Sequence, residues 1–232
     1  MRSFIPRKVF LYFVFLFIFV DTGACPRMAQ SDGGLVVADS ELASQAGMDI
    51  LRRGGNAVDA AVATALALSV VDQGSSGLRG GGFMVIYLAK EQKAFALDFR
   101  ETAPAASRRE LYLNEGAAVP SASLIGALAV AVPGEVAGLV EARKRFGTMP
   151  LPLLAGPAIK LASEGFPLDA TLRVAIERQQ ANMKRFPDLA RIYMPRGEPA
   201  KEGAIIRQPE LAETLKAIAR NGTEDFYGGW IG

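Results

Sequence analysis

The sequence has no histidine and a single cysteine, Cys25, in 232 residues. Without histidine there is no Ser-His-Asp or Cys-His catalysis, no His-ligated haem and no His-bearing zinc site. One cysteine forms no intrachain disulfide and no cysteine-based metal cluster. Net charge is only +2, and no block of like charges stands out, so charge gives no argument for a nucleic-acid partner. A bilayer-length apolar run is lacking too. "VFLYFVFLFIFV", residues 9–20, is twelve residues long, against the roughly 20 that a spanning helix needs. Any hydrolytic chemistry is left with a carboxylate, a lysine or an N-terminal amine as its base.

What is present is a chain that is half hydrophobic and 22% charged. That supports one sizeable domain or two small ones. Arg2, Arg7 and Lys8 precede the apolar run and Asp21 follows it, the pattern of a secretory signal peptide. Cleavage is expected near "TGAC" or after "RMAQ", which predicts a secreted or periplasmic protein. An uncleaved anchor and a lipid-modified Cys25 are the alternatives. Thr22 stands where a lipidation signal carries a bulky aliphatic, which argues against the second. Residues 1–30 are therefore assigned to signal and linker, and 31–232 to the folded part.

Along that part, "GLVVADS" (34–40) reads as a short buried strand, with Asp39 or Ser40 to cap the next helix. Residues 41–53 have apolar residues at helical spacing and stop at Gly54-Gly55. An alanine-rich helix over 56–71 starts at Asn56. Asp59, inside it, is expected to hydrogen-bond back to the Gly54-Gly55 turn. "FMVIYL" and "AFALDF" predict a hairpin around "AKEQK". Helices are predicted over 135–146, over 151–164 with a break at Gly156-Pro157, over 168–186, and over 209–221. The stretch 188–211 reads mostly as loop. Strands with helices on this scale predict an α/β (α+β) layered fold.

Two stretches could carry chemistry. "GSSGLRGGGF" (74–83) holds five glycines. A phosphate loop needs GxxxxGK[ST], and a dinucleotide fingerprint needs strand, then glycines, then helix. This stretch lacks the lysine and has the helix first, so a nucleotide-binding module is the weaker reading. Positive φ and close backbone packing before a buried strand explain the glycines better, and an anion on their N–H groups is the sharper variant. The second stretch is "LDFRETAP" (97–104). Strand period puts Asp98 and Arg100 on one face and Phe99 and Glu101 on the other. Arg100 could hold a carboxylate in its guanidinium fork. From spacing alone, a structural ion pair with Asp98 or Glu101 is favoured.

Several segments together resemble one family. "ASQAGMDILRRGGNAVDAAVATALALSVV", "GGGFMVIYL", "ALDFRETAP", "AVPGEVAGLVEARKRFGTMPL", "LASEGFPL" and "NGTEDFYGGWIG" occur in the order found in the large subunit of gamma-glutamyltransferases, also called gamma-glutamyltranspeptidases or glutathione hydrolases. The resemblance implies a partial αββα sandwich of the N-terminal-nucleophile hydrolase type. It implies transfer or hydrolysis of γ-glutamyl groups from glutathione and related compounds. The attack would come from the N-terminal Thr of a small subunit cut from the same precursor, with its own amine as base. No cofactor or metal is implied. The matching arginine, Arg100, would bind the glutamyl α-carboxylate, which reverses the ion-pair reading. Asp98 and Glu101 are expected to orient it.

The resemblance places the nucleophile outside these residues. No catalytic residue is expected within this chain, and these residues alone are expected to be inactive. A non-enzymatic product of a decayed gene is the alternative. The family also reads glycine where Arg79 stands, a substitution that costs about 1–2 kcal/mol if the position needs positive φ.

Overall fold

The computed structural model describes residues 30–232. The apolar run 9–20 and Cys25 lie outside the described residues. Gly33–Gly232 is one unit, and the fold described below is that unit's.

The alanine-rich run becomes the axis of the core. Helix α2 (Ala57–Val71) buries eleven of its 15 residues, on every side of the helix, as expected of a helix apolar all round. Asn56 starts it. Its side-chain oxygen accepts the Val58 and Asp59 N–H groups, both at 2.9 Å, while Asp59 accepts the Asn56 N–H at 3.0 Å, a reciprocal capping box. Helix α1 (Glu41–Arg52) lies along α2. Gly47 permits the approach, since a Cβ there would collide with Thr64 and come within 3.1 Å of the Ala60 carbonyl. The chain leaves α1 through Gly54 at φ +90, a conformation that favours glycine.

Two local expectations fail here. Residues 34–40 form no strand. Leu35 and Val37 are exposed, and the Ala38 N–H donates to the Ser44 hydroxyl (3.0 Å) instead of to a neighbouring strand. Ser40 is the N-cap of α1, but its side chain makes no capping bond, and Asp39 is not the cap.

Helices α3 (Glu135–Phe146) and α4 (Leu151–Glu164) follow the hairpin region, and α4 packs on α2 and on α7 (Pro209–Asn221). Ile50, Leu66, Leu154, Leu215 and Ile218 are almost fully buried where these helices meet. Helix α4 runs through Gly156-Pro157 without the expected break. Pro157 removes one N–H, but the residue whose carbonyl loses its partner, Leu153, is exposed. Ala155, Ala158 and Ala162 on the opposite side are fully buried and hold the line. Gly165 (φ +93) ends the helix. Helix α5 (Ala170–Met183) is capped by Asp169, which accepts the Leu172 N–H at 2.7 Å.

The stretch expected to be loop contains a helix, α6 (Pro187–Tyr193). Proline at its first turn starts a helix as readily as a later proline would end one, and Tyr193, its last residue, is buried.

Strands β1 (Phe83–Leu88) and β2 (Lys93–Asp98) form the expected antiparallel hairpin, with Phe83 opposite Asp98 and Leu88 opposite Lys93. It is half buried, not buried: Ile86 faces the core, while Phe83, Val85 and Tyr87 are exposed. Short pairs β3 (Leu113–Asn114) with β4 (Ala117–Ala118), and β5 (Phe166–Pro167) with β6 (Ile205–Ile206), complete the strands among the described residues. Helices backing one face of a strand pair give the mixed α/β layering expected of a partial αββα sandwich.

Candidate functional site

The ladder of β1 and β2 continues one step beyond the hairpin. The Phe99 N–H donates to Gly82 O (3.0 Å), and the Gly82 N–H donates to Phe99 O (3.3 Å). Three residues later the chain has changed partner, with Thr102 and Val132 exchanging both backbone bonds at 3.1 and 2.9 Å. Arg100 and Glu101 sit at this switch.

Three glycines let other backbone close on it. A Cβ on Gly81 would lie 3.0 Å from Glu101 N and 3.1 Å from Arg100 C; one on Gly134 would lie 2.6 Å from Phe99 C; one on Gly138 would run into the Phe99 side chain. The Gly80 carbonyl accepts the N–H groups of Gly134 (2.9 Å) and Glu135 (3.0 Å). It fills the N-terminus of α3, where free N–H groups would otherwise favour an anion.

This corrects the reading of "GSSGLRGGGF". None of its glycines has positive φ, and neither does Arg79. Gly80, Gly81 and Gly82 serve close approach, Gly74 and Gly77 have room for a side chain, and Arg79 carries no left-handed strain.

Arg100 is exposed and reaches Glu101, with Nη2 3.2 Å from Oε2. Asp98 does not touch the guanidinium. Its Oδ1 accepts the Arg100 backbone N–H at 3.0 Å, so the two side chains that share a strand face are not paired. Arg100 borders a cleft of about 930 Å³, shared with Arg79, Gly81, Glu101, Glu135 and Gln208. It also borders a smaller one of about 500 Å³ beside Thr102, Gly138 and Tyr227. Burial pushes the Glu135 carboxyl above its ordinary pKa, and the negative charge of Glu101 adds to the shift. The Tyr227 hydroxyl fixes the start of α3, donating to Pro133 O (2.8 Å) and accepting the Ala137 N–H (3.2 Å).

Sequence reasoning missed the polar floor between clefts. The Tyr193 hydroxyl donates to Gln73 Oε1 (2.6 Å), Gln73 Nε2 to Gln208 Oε1 (2.5 Å), and Gln208 Nε2 to Val70 O (2.8 Å). Burial raises the Tyr193 hydroxyl to about 12, against the opposing pull of the Arg79 charge. Glu135 was legible only as an acid in a first helical turn.

Asp59 is also corrected. It does not turn back to Gly54-Gly55. Besides capping Asn56, it accepts the Thr148 N–H, the Thr148 hydroxyl (2.6 Å) and the Met149 N–H (3.1 Å). It ties the start of α2 to the α3–α4 link.

Comparison with known proteins places this arrangement. The family profile for gamma-glutamyltranspeptidase matches residues 43–232. Glutathione hydrolase 3 of Arabidopsis thaliana is 41% identical over 210 residues, which are 90% of this chain and 32% of that protein. The glutathione hydrolase proenzyme of Bacillus subtilis (strain 168) is 43% identical over 198 residues, 84% of this chain and 34% of that one. The crystal structure of Helicobacter pylori gamma-glutamyltranspeptidase superposes with a TM-score of 0.84 at 36% identity, covering 88% of this chain and 59% of that one. The chain thus spans about a third of the length of the curated relatives it matches. Sequence match and backbone agree over nearly all of Gly33–Gly232: the chain belongs to the gamma-glutamyltranspeptidase family.

Proposed function

We propose that the protein to which these residues belong cleaves γ-glutamyl bonds of glutathione and related compounds, passing the γ-glutamyl group to water or to an amine. Arg100 holds the α-carboxylate of the glutamyl group. The observation that carries this reading is the placement of Arg100. Its guanidinium is exposed at the border of the large cleft, its backbone is pinned by Asp98 and by three close-packed glycines, and its charge is steered by Glu101. A planar fork of N–H donors fixed in that way suits a carboxylate.

Glu101 orients the guanidinium, and Asp98 orients the backbone that bears it. The incoming α-carboxylate shares or displaces the Glu101 contact. The nucleophile is the N-terminal Thr of a small subunit, with its own amine as base, and none of the threonines described above takes that part. These residues alone therefore do not turn over substrate. The apolar run 9–20, preceded by Arg2, Arg7 and Lys8, directs the protein out of the cytoplasm. Cell fractionation checks this, and retention of the full-length protein in the cytoplasm would count against it.

The test of the clamp is Arg100→Lys and Arg100→Ala in the full-length protein, assayed with a γ-glutamyl anilide. The expected outcome is a rise in KM of tenfold or more with a smaller change in kcat, the mark of lost binding to a group that does not react. Unchanged kinetics would remove Arg100 from the site.

A further inference from the structure

Beside the large Arg100 cleft runs a third hollow, of about 440 Å³. Leu172, Ile176, Met183 and Phe186 give it apolar walls, and the amides of Gln179 and Asn182 border it. No aspartate or glutamate lines it. Arg79 borders both hollows. Arg79 is exposed and has no carboxylate within ion-pair distance among the described residues, and its charge acts on the Tyr193 hydroxyl. The three acids on the other side, Glu101, Glu135 and Glu210, belong to the Arg100 cleft. An anion seated in the apolar hollow therefore meets a cation without meeting a carboxylate.

We infer that Arg79 and this hollow form a subsite for a carboxylate carried on an apolar body: the amino acid on the far side of the γ-glutamyl bond, as leaving group or as acceptor. The inference rests on the function proposed above. Its volume suits a group of amino-acid to dipeptide size. Arg100 then reads the glutamyl end, and Arg79 reads the other.

Two substrates separate these roles: γ-glutamyl-phenylalanine, and γ-glutamyl-phenethylamide, which lacks the second carboxylate. In the full-length protein, Arg79→Gln is expected to lower the ratio of their kcat/KM values about tenfold, with partial retention in Arg79→Lys. Arg100→Lys lowers both values and leaves the ratio in place. An Arg79→Gln ratio equal to wild type overturns the inference. If the wild-type protein turns over neither substrate, the proposed function fails, and calorimetry with N-acetyl-phenylalanine decides the subsite. Binding that weakens about tenfold in Arg79→Gln and persists in Arg100→Ala supports it. Absence of binding to wild type, or equal binding to Arg79→Gln, overturns it.

Discussion

Asp59 receives four donors: the N–H groups of Asn56, Thr148 and Met149, and the Thr148 hydroxyl. Burial alone would raise its pKa. The Thr148 hydroxyl and the three N–H groups outweigh burial and hold it below the ordinary value of 3.8. Below that value the unfolded chain binds more protons at this site than the folded one, so stability rises with pH there. The contribution is complete above the unfolded pKa and is lost as pH falls through the lowered folded one. Asp59→Ala leaves four donors facing a void and is expected to cost about 3 kcal/mol. Urea melts between pH 3 and 6 check both points, since the variant should lose the part of the acid sensitivity that Asp59 supplies. Asp59 was visible in the sequence as an acid in an apolar helix, but its partners lie 89 and 90 residues away. No local pattern encodes a distance of that kind. The Gln73–Gln208 bond, spanning 135 residues, was hidden for the same reason.

Between elements, the decisive contact is α3 against the Phe99–Arg100 segment. Gly138 lies inside α3, and a methyl group there would come within 2.6 Å of Phe99 Cβ. Gly138→Ala is expected to destabilise by about 1–3 kcal/mol through overpacking. Because Phe99 adjoins Arg100, it should also raise KM for γ-glutamyl substrates; thermal melts and steady-state kinetics measure the two effects. A variant with normal melting and normal KM would show that the segment shifts without consequence. The glycines of 74–83 were conspicuous in the sequence, and those at 134 and 138 were not. What Gly81, Gly134 and Gly138 do depends on a neighbour in space, and Arg100 itself became legible only through a motif shared with a family. The helices were read well where amphipathic spacing or a glycine stop marked them, as in α3 and α7. They were misread at Pro157, where packing overrides a residue that usually breaks a helix, and over 187–193, where Pro187 stands in the first turn and starts the helix.

For the unit as a whole, the outer face of the hairpin matters most. Phe83, Val85 and Tyr87 are 69, 78 and 64% exposed, and Ala96 and Ala94 stand opposite the last two. Both faces of β1 are thus apolar, which is why "FMVIYL" read as a buried strand. In an αββα sandwich a second sheet stacks about 10 Å from such a face. Residues 33–232 produced alone are expected to bind a hydrophobic dye and to self-associate. Val85→Thr with Tyr87→Thr should reduce both, as read by dye fluorescence and light scattering. A monomeric, dye-silent wild-type unit would contradict this.

The Asp59 bridge has a further consequence, for time and not for strength. Its donors on Thr148 and Met149 arrive only after a loop of some ninety residues has closed, and contacts of that separation are costly to form early in folding. Weakening it should therefore leave the refolding rate nearly as it was and speed unfolding. Asp59 then sets how long the native molecule lasts, while the local turns of α1 and α2 set how quickly it appears.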